Sequence, residues 1–140
     1  MADEQMDPQT VASIPLLAVL KPRAREQVLR TARRQLYQPG EVVVSEGDPA
    51  TRLFIIATGS ARVEKSGKAI GLMQAGDFFG ELALLEQHGR TATVIADSDL
   101  TCLIIAAWEF RASLDEHPEM AVPMLEAVIR RLHAQEGRGA

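Results

Sequence analysis

The sequence has few of the features that mark secreted, membrane-spanning or nucleic-acid-binding proteins. Its one cysteine, Cys102, excludes an internal disulfide and a thiolate zinc cluster, and a chain without disulfides is typical of a reducing cytosol. No apolar run approaches the ~20 residues of a membrane helix, and the polar start from Met1 to Thr10 does not resemble a signal peptide. Basic residues do not outnumber acidic ones (15 Lys and Arg, 19 Asp and Glu), as they usually do in nucleic-acid-binding domains. We therefore expect a cytoplasmic protein that contacts neither nucleic acid nor a membrane.

The composition fits one ordered domain. A domain typically takes ~100–200 residues, and the chain has 140, of which 46% are apolar and 24% charged. That apolar content is enough to form a buried core, so extensive disorder is not expected. We assign residues 1–12 to a flexible tail, residues 13–136 to the domain and residues 137–140 to a flexible end. The excess of arginine over lysine, 12 against 3, favours a GC-rich bacterial source.

Short strands separated by turns dominate the middle of the chain. From about Gln35 to Ala106, β-branched and apolar segments alternate with turns such as Pro39-Gly40. This spacing predicts a mainly β fold with added α-helices, built as an antiparallel jelly roll or small barrel. We expect a helical segment before the strands and two helices after them.

Prolines and apolar spacing place these flanking helices. Pro22 suits the first turn of an N-terminal helix, and His117-Pro118 separates the two C-terminal helices. Pro123 is expected in the first turn of the last helix, where proline is tolerated. That helix is predicted to carry an apolar stripe on one face, formed by Met124, Leu125, Val128, Ile129 and Leu132.

One segment, residues 76–94, has the composition of a ligand site. Gly80 has no Cβ and precedes a helix-compatible run that starts at Glu81, so a ligand can approach backbone amides that favour an anion. Arg90 offers a planar fork that matches phosphate oxygens. A carboxylate such as Glu81 fits beside an anion where it accepts hydrogen bonds from hydroxyls. A phosphate and a sugar bound side by side satisfy all three features.

A longer motif surrounds these residues. The stretch FGELAL, followed by five residues and then RTATV, resembles the phosphate-binding cassette of cyclic nucleotide-binding domains. That family includes regulatory subunits of cyclic-nucleotide-dependent kinases, cyclic-nucleotide-gated channels and bacterial catabolite activators. The resemblance extends from about Leu16 to Gln135 and includes the PGE, EGD and TGSARV segments. It implies a stand-alone domain with a jelly-roll fold, with cAMP or else cGMP as its ligand and no cofactor.

The resemblance also implies roles for the polar part of the site. Arg90 would pair with the exocyclic oxygens of the cyclic phosphate, and Glu81 would accept from the ribose 2′-hydroxyl. The backbone amides of Gly80, Leu82 and Ala83 would bind the ribose or the phosphate. The alternative for Arg90 is a surface ion pair with Glu86 or another acid, and Glu81 taken alone could be an acid favoured by a helix dipole.

The remaining site residues concern the base and the turn. By the same resemblance, Thr91 would touch the phosphate or a guanine amino group, and Val63 and Met73 would pack against the base. Gly59 matches a turn glycine that lets the sheet bend. Judged singly, Thr91 is equally a strand-forming residue, and Val63 and Met73 are ordinary core residues.

The leading hypothesis is a sensor that binds a cyclic mononucleotide and signals by movement of its C-terminal helix. Its partner would be an effector protein or a second copy of the chain. The alternatives are a ligand-free interaction module of the same fold, or the sensor fragment of a larger channel, kinase or transcription regulator. No enzyme is expected, because the three histidines are scattered and no nucleophile lies beside a base. The residue that caps the base stays open among Ile129, Leu132, His133 and Gln135.

Overall fold

Strands form the centre of the molecule and helices form both ends. The computed structural model describes residues 8–81 and 89–139. Three short helices come first: α1 (Pro8–Ala12), α2 (Pro15–Ala18) and α3 (Pro22–Leu29). The strands of the described ranges are β1 (Arg33–Tyr37), β2 (Val42–Val44), β3 (Arg52–Thr58), β4 (Ser60–Lys65), β5 (Lys68–Gln74), β6 (Phe78–Phe79), β7 (Thr93–Ala96) and β8 (Leu100–Ala106). The last elements are α4 (Ala107–Glu116), a 3-10 turn (Pro118–Met120) and α5 (Ala121–Gly139).

The strands form two four-stranded sheets. Their orders are β1-β8-β3-β6 and β2-β7-β4-β5, and every pairing between neighbours is antiparallel. The turn between β3 and β4 depends on Gly59, whose φ is +90° and whose hypothetical Cβ would collide with the Asp99 carbonyl oxygen. The predicted jelly roll with flanking helices is confirmed.

Alternate residues of β3 contribute to two separate cores. Leu53 and Ile55 pack against the helices, whereas Phe54 and Ile56 lie in the core that both sheets enclose. β8 follows the same alternation, as the period of two in a strand requires. Because apolar side chains cover both of its faces, β3 is a continuous apolar run rather than an alternating one.

The N-terminal region is more ordered than we expected from the sequence. Residues 8–12, which we assigned to a flexible tail, form α1, and Val11 is buried in the helical core. Pro8 begins this helix at a position where a missing amide proton costs nothing. Pro22 likewise opens α3, as predicted.

The C-terminal helix corrects one detail of the sequence interpretation. Pro123 does lie in the first turn of α5, as predicted. However, Met124 packs against the helical core, whereas Leu125, Val128, Ile129 and Leu132 are exposed. The prediction that these five residues form one stripe is therefore wrong, since the 100° step between residues turns Met124 away from the exposed four. α5 also continues through Gly139, into the flexible end assigned to residues 137–140. None of the helices described by the structure is long and apolar enough to cross a membrane.

Candidate functional site

The backbone of Arg90 is held by the turn that follows β2. The Arg90 amide donates to the carbonyl of Asp48 at 2.7 Å, and the Gly47 amide donates to the carbonyl of Arg90 at 2.8 Å. Pro49 and Gly89 form a β-bridge beside these bonds. The EGD segment therefore holds the backbone of Arg90 in place through these hydrogen bonds.

The side chain of Arg90 is buried, with only 9% of the residue exposed. Its Nη2 donates to the backbone carbonyl of Arg52 at 2.9 Å, and its guanidinium carbon lies 5.4 Å from the centre of the Phe54 ring. Its Nε is buried and has no hydrogen-bond partner among the described residues. A buried charge with an unsatisfied donor is costly, and an anion bound at the guanidinium would offset that cost.

Charge and burial around Arg90 act on its pKa in opposite directions. Burial lowers the pKa of the guanidinium, and the neighbouring charge of Arg52 lowers it further. The carboxylates of Glu81 and Asp48 raise it, but the net pKa shift is downward. The two carboxylates thus compensate only in part for the burial of the guanidinium and for the charge of Arg52.

Gly80 provides the room that this guanidinium occupies. Its φ is +94°, a conformation that residues with a side chain rarely adopt. A Cβ at this position would lie 2.5 Å from the carbonyl oxygen of Arg52 and 2.6 Å from Nη1 of Arg90. Gly80 is therefore packed against Arg90 and against Arg52, the first residue of β3. The predicted site requires Gly80 and Arg90 to lie close together.

Glu81 is bound by a residue that the sequence interpretation did not select. Arg131 of α5 donates from Nη1 to Oε1 of Glu81 at 2.9 Å, and from Nη2 to the carbonyl oxygen of Phe78. The Arg131 guanidinium carbon also lies 4.9 Å from the centre of the Phe78 ring. Through Arg131, the last helix thus contacts the carboxylate of Glu81 and the backbone carbonyl and ring of Phe78.

The spacing along α5 contained a signal for Arg131. Met124 and Ala127 pack on the helical core, and Arg131 follows four residues after Ala127 on the same helical face. A charged residue that continues a buried face needs a partner. This pattern could have indicated that Arg131 points at another part of the fold.

Arg90 lies on the apolar core between the sheets, which includes two stacked aromatic rings. The rings of Phe54 and Phe79 stack with centroids 4.8 Å apart and an interplanar angle of 4°. Met73 is buried in the same core, and Val63 is half-buried against it. The two residues predicted to face the base thus belong to the apolar core on which Arg90 lies.

The other predicted site residues have different outcomes. Thr91 is exposed, next to Arg90. Leu82 and Ala83, whose amides were predicted to bind the ligand, lie outside the described residues. His88 lies outside them as well.

Two further features concern chemistry other than ligand binding. Among the described residues there is no group of three or more His, Cys, Asp or Glu side chains that could hold a metal ion. Cys102 is fully buried between the sheets, and burial raises the pKa of its thiol to about 12. Its thiolate is therefore not populated at neutral pH.

Comparisons with known proteins show the family of this chain. Residues 34–117, more than half of the chain, match the family described as "Cyclic nucleotide-binding domain". The chain is 35% identical over 99 residues to the cAMP-dependent protein kinase regulatory subunit of Hypocrea atroviridis, covering 71% of this chain and 21% of that protein. It is 32% identical over 97 residues to the cGMP-dependent protein kinase of Toxoplasma gondii, covering 69% of this chain and 10% of the kinase. The chain thus spans about a fifth and a tenth of the lengths of these relatives.

A solved structure supports the fold over most of the chain. The catabolite activator protein of Thermus thermophilus superposes with a TM-score of 0.77 at 26% sequence identity. The superposition covers 89% of this chain and 61% of that protein. The similarity therefore includes the flanking helices as well as the sheets.

Proposed function

Because the chain belongs to the cyclic nucleotide-binding domain family, we propose that it binds a cyclic mononucleotide, preferably cAMP, and acts as a sensor rather than an enzyme. The observation that carries this proposal is the buried guanidinium of Arg90, whose pKa is lowered and whose Nε has no partner within residues 8–81 and 89–139. A cyclic phosphate supplies the negative charge that this group lacks. The protein then serves as the regulatory part of a signalling system, in the cytoplasm.

The positions of the other site residues support a ligand lying across the inter-sheet core. The phosphate binds Arg90 and the backbone near Gly80, whose missing side chain leaves the space that the Arg90 guanidinium occupies. Glu81 accepts from the ribose 2′-hydroxyl through Oε2, since the hydrogen bond from Arg131 is to Oε1 and no other described residue bonds to this carboxylate. The base packs against Val63 and Met73. An intact arginine and acid argue against a ligand-free interaction module.

Calorimetric titration with cAMP and cGMP side by side tests this proposal. We expect both to bind, cAMP at least as tightly as cGMP, because Thr91 offers a hydroxyl to a guanine amino group without excluding adenine. Thr91→Ala should weaken the binding of cGMP more than that of cAMP, by roughly 3- to 10-fold, the value of one hydrogen bond. If neither nucleotide binds the parent protein, the proposed function is wrong. An equal loss for both would mean that Thr91 contacts only the phosphate.

The role of Glu81 is tested by removing the hydroxyl that it is proposed to bind. A hydrogen bond to a charged group contributes about 1.5–3 kcal/mol, so 2′-deoxy-cAMP should bind the parent roughly 10- to 150-fold more weakly than cAMP. In Glu81→Ala the two ligands should bind almost equally. Arg131→Gln is the matched control, because it removes the other partner of Glu81 and should keep the discrimination. A similar penalty for the deoxy ligand in Glu81→Ala would disprove the contact.

We further propose that α5 passes the signal on through Arg131. The ion pair with Glu81 joins the helix to the same carboxylate that the ribose would use, at a site where Glu81 is only 19% exposed. A ligand that fixes Glu81 therefore also fixes the partner of Arg131. Since coupling between two sites is reciprocal, helix position and ligand affinity change together.

The outer face of α5 offers an exposed apolar surface for the partner that receives the signal. Val122, Leu125, Ile129 and Leu132 are spaced three, four and three residues apart and are between 42% and 62% exposed. β-branched residues at the first and third of these positions, with leucines at the others, favour a parallel two-stranded coiled coil. We therefore propose a second copy of this chain as the partner, in preference to an unrelated effector.

Amide hydrogen exchange across residues 122–135 measures the coupling between ligand binding and the position of α5. Saturating cAMP should slow exchange there in the parent protein, because the ligand and Arg131 share Glu81. In Arg131→Gln the slowing should largely disappear, whereas Arg130→Gln, which changes an exposed neighbour, should behave as the parent. Protection confined to residues 80–91 would contradict a role for the helix. Sedimentation velocity on the same samples and on Leu125→Glu shows whether the outer face joins two copies.

A further inference from the structure

A second arginine lies over the same aromatic ring as Arg90. Arg52 is the first residue of β3, and alternation along the strand puts its side chain on the same face as Phe54 and Ile56, towards the core between the sheets. Its guanidinium carbon lies 5.4 Å from the centre of the Phe54 ring, the same distance as that of Arg90. Two guanidinium groups thus converge on one ring at the edge of the site.

Arg52 forms no ion pair with the other residues that the structure describes. Among the described residues no carboxylate lies within salt-bridge distance of it. After burial, its positive charge is the next cause that lowers the pKa of Arg90, which indicates that the two groups repel each other. Two like charges beside one ring repel each other, and an anion bound between them would relieve that repulsion.

We infer that Arg52 is a second cationic residue of the phosphate site, which attracts the anion and strengthens its binding while Arg90 makes the direct contact. This inference rests on the proposed function. The Arg52 side chain is exposed, whereas Arg90 is buried. An exposed charge at the rim of a site acts mainly on the association rate and on the salt dependence of binding, and the buried one acts on the lifetime of the complex.

The variant Arg52→Gln tests this role cleanly. The backbone carbonyl that anchors Arg90 Nη2 is kept in any substitution at this position. Arg52→Gln should weaken cAMP binding by roughly 3- to 10-fold at about 25 mM salt and by much less at about 300 mM, because salt screens exposed charges. Arg52→Lys keeps the charge and should recover most of the affinity. Arg23→Gln, at an exposed position of α3, is the control for the change in net charge.

The stability of the variants gives an independent readout. Because Arg52→Gln removes a repulsion, its melting temperature without ligand should equal or exceed that of the parent protein. A lower melting temperature with a salt-independent loss of affinity would show a merely structural role and overturn the inference. Affinities equal to those of Arg23→Gln at both salt concentrations would overturn it too. If the parent binds neither cAMP nor cGMP, the proposed function itself fails, an outcome distinct from the other two.

Discussion

Arg90→Ala should nearly abolish the binding of cyclic nucleotides while the protein stays folded. Truncating one partner of a buried charge pair costs about 2–5 kcal/mol, which corresponds to a loss of affinity of roughly 30- to several thousand-fold. The fold should survive because Arg90 is not part of the apolar core and its Nε has no partner in the part of the chain that the structure describes. Calorimetric titration with cAMP measures the loss, and thermal unfolding measures the stability.

The stability of this variant carries a further expectation. Burying a charge with incomplete compensation costs free energy, so its removal should leave the melting temperature unchanged or raise it. Arg30→Ala is the control, since Arg30 forms an exposed pair with Glu26 on α3 and should bind cAMP like the parent. Unchanged affinity in Arg90→Ala would remove the site from this part of the molecule. A collapse of stability would show that Arg90 is mainly structural.

The local sequence was sufficient to predict most of the fold. Turn residues at regular intervals gave the strands between Gln35 and Ala106, and the observed strands run from Arg33 to Ala106. Where the interpretation failed, the cause was tertiary. α1 has a weak sequence pattern but is ordered because Val11 enters the helical core. The faces of α5 were misjudged because five apolar residues fit more than one face of a helix, and only the packing of Met124 decides between them.

The site was predictable to the extent that its residues are close in sequence. Gly80 and Arg90 belong to one motif, and the structure does place them against each other. Arg52 and Arg131 come from a distant strand and from the last helix, and their long side chains reach the site from outside the motif. The hydrogen bonds that join Gly47 and Asp48 to Arg90 use backbone groups, which have no residue preference that a sequence could reveal.

Gly80→Ala should damage both the stability of the protein and its affinity for the ligand. At a φ of +94° any side chain is strained, and this strain alone costs about 1 kcal/mol or more. The added methyl group would also press on the carbonyl oxygen of Arg52 and on Nη1 of Arg90. The carbonyl is backbone and yields little, so the guanidinium should be displaced. We expect a lower melting temperature and a loss of cAMP affinity of roughly 10-fold or more, because displacement removes one charge-assisted hydrogen bond.

Gly67→Ala separates backbone strain from the contact with Arg90. Gly67 has a similar φ of +81°, but a Cβ there would meet no atom within 4 Å. Gly67→Ala should therefore lose stability through strain alone and bind cAMP as the parent does. The double variant Gly80→Ala with Arg90→Ala should bind no more weakly than Arg90→Ala, because the methyl group acts on affinity through the guanidinium. A further loss in the double variant would mean that the methyl group also disturbs the binding of the ligand to the backbone near Gly80.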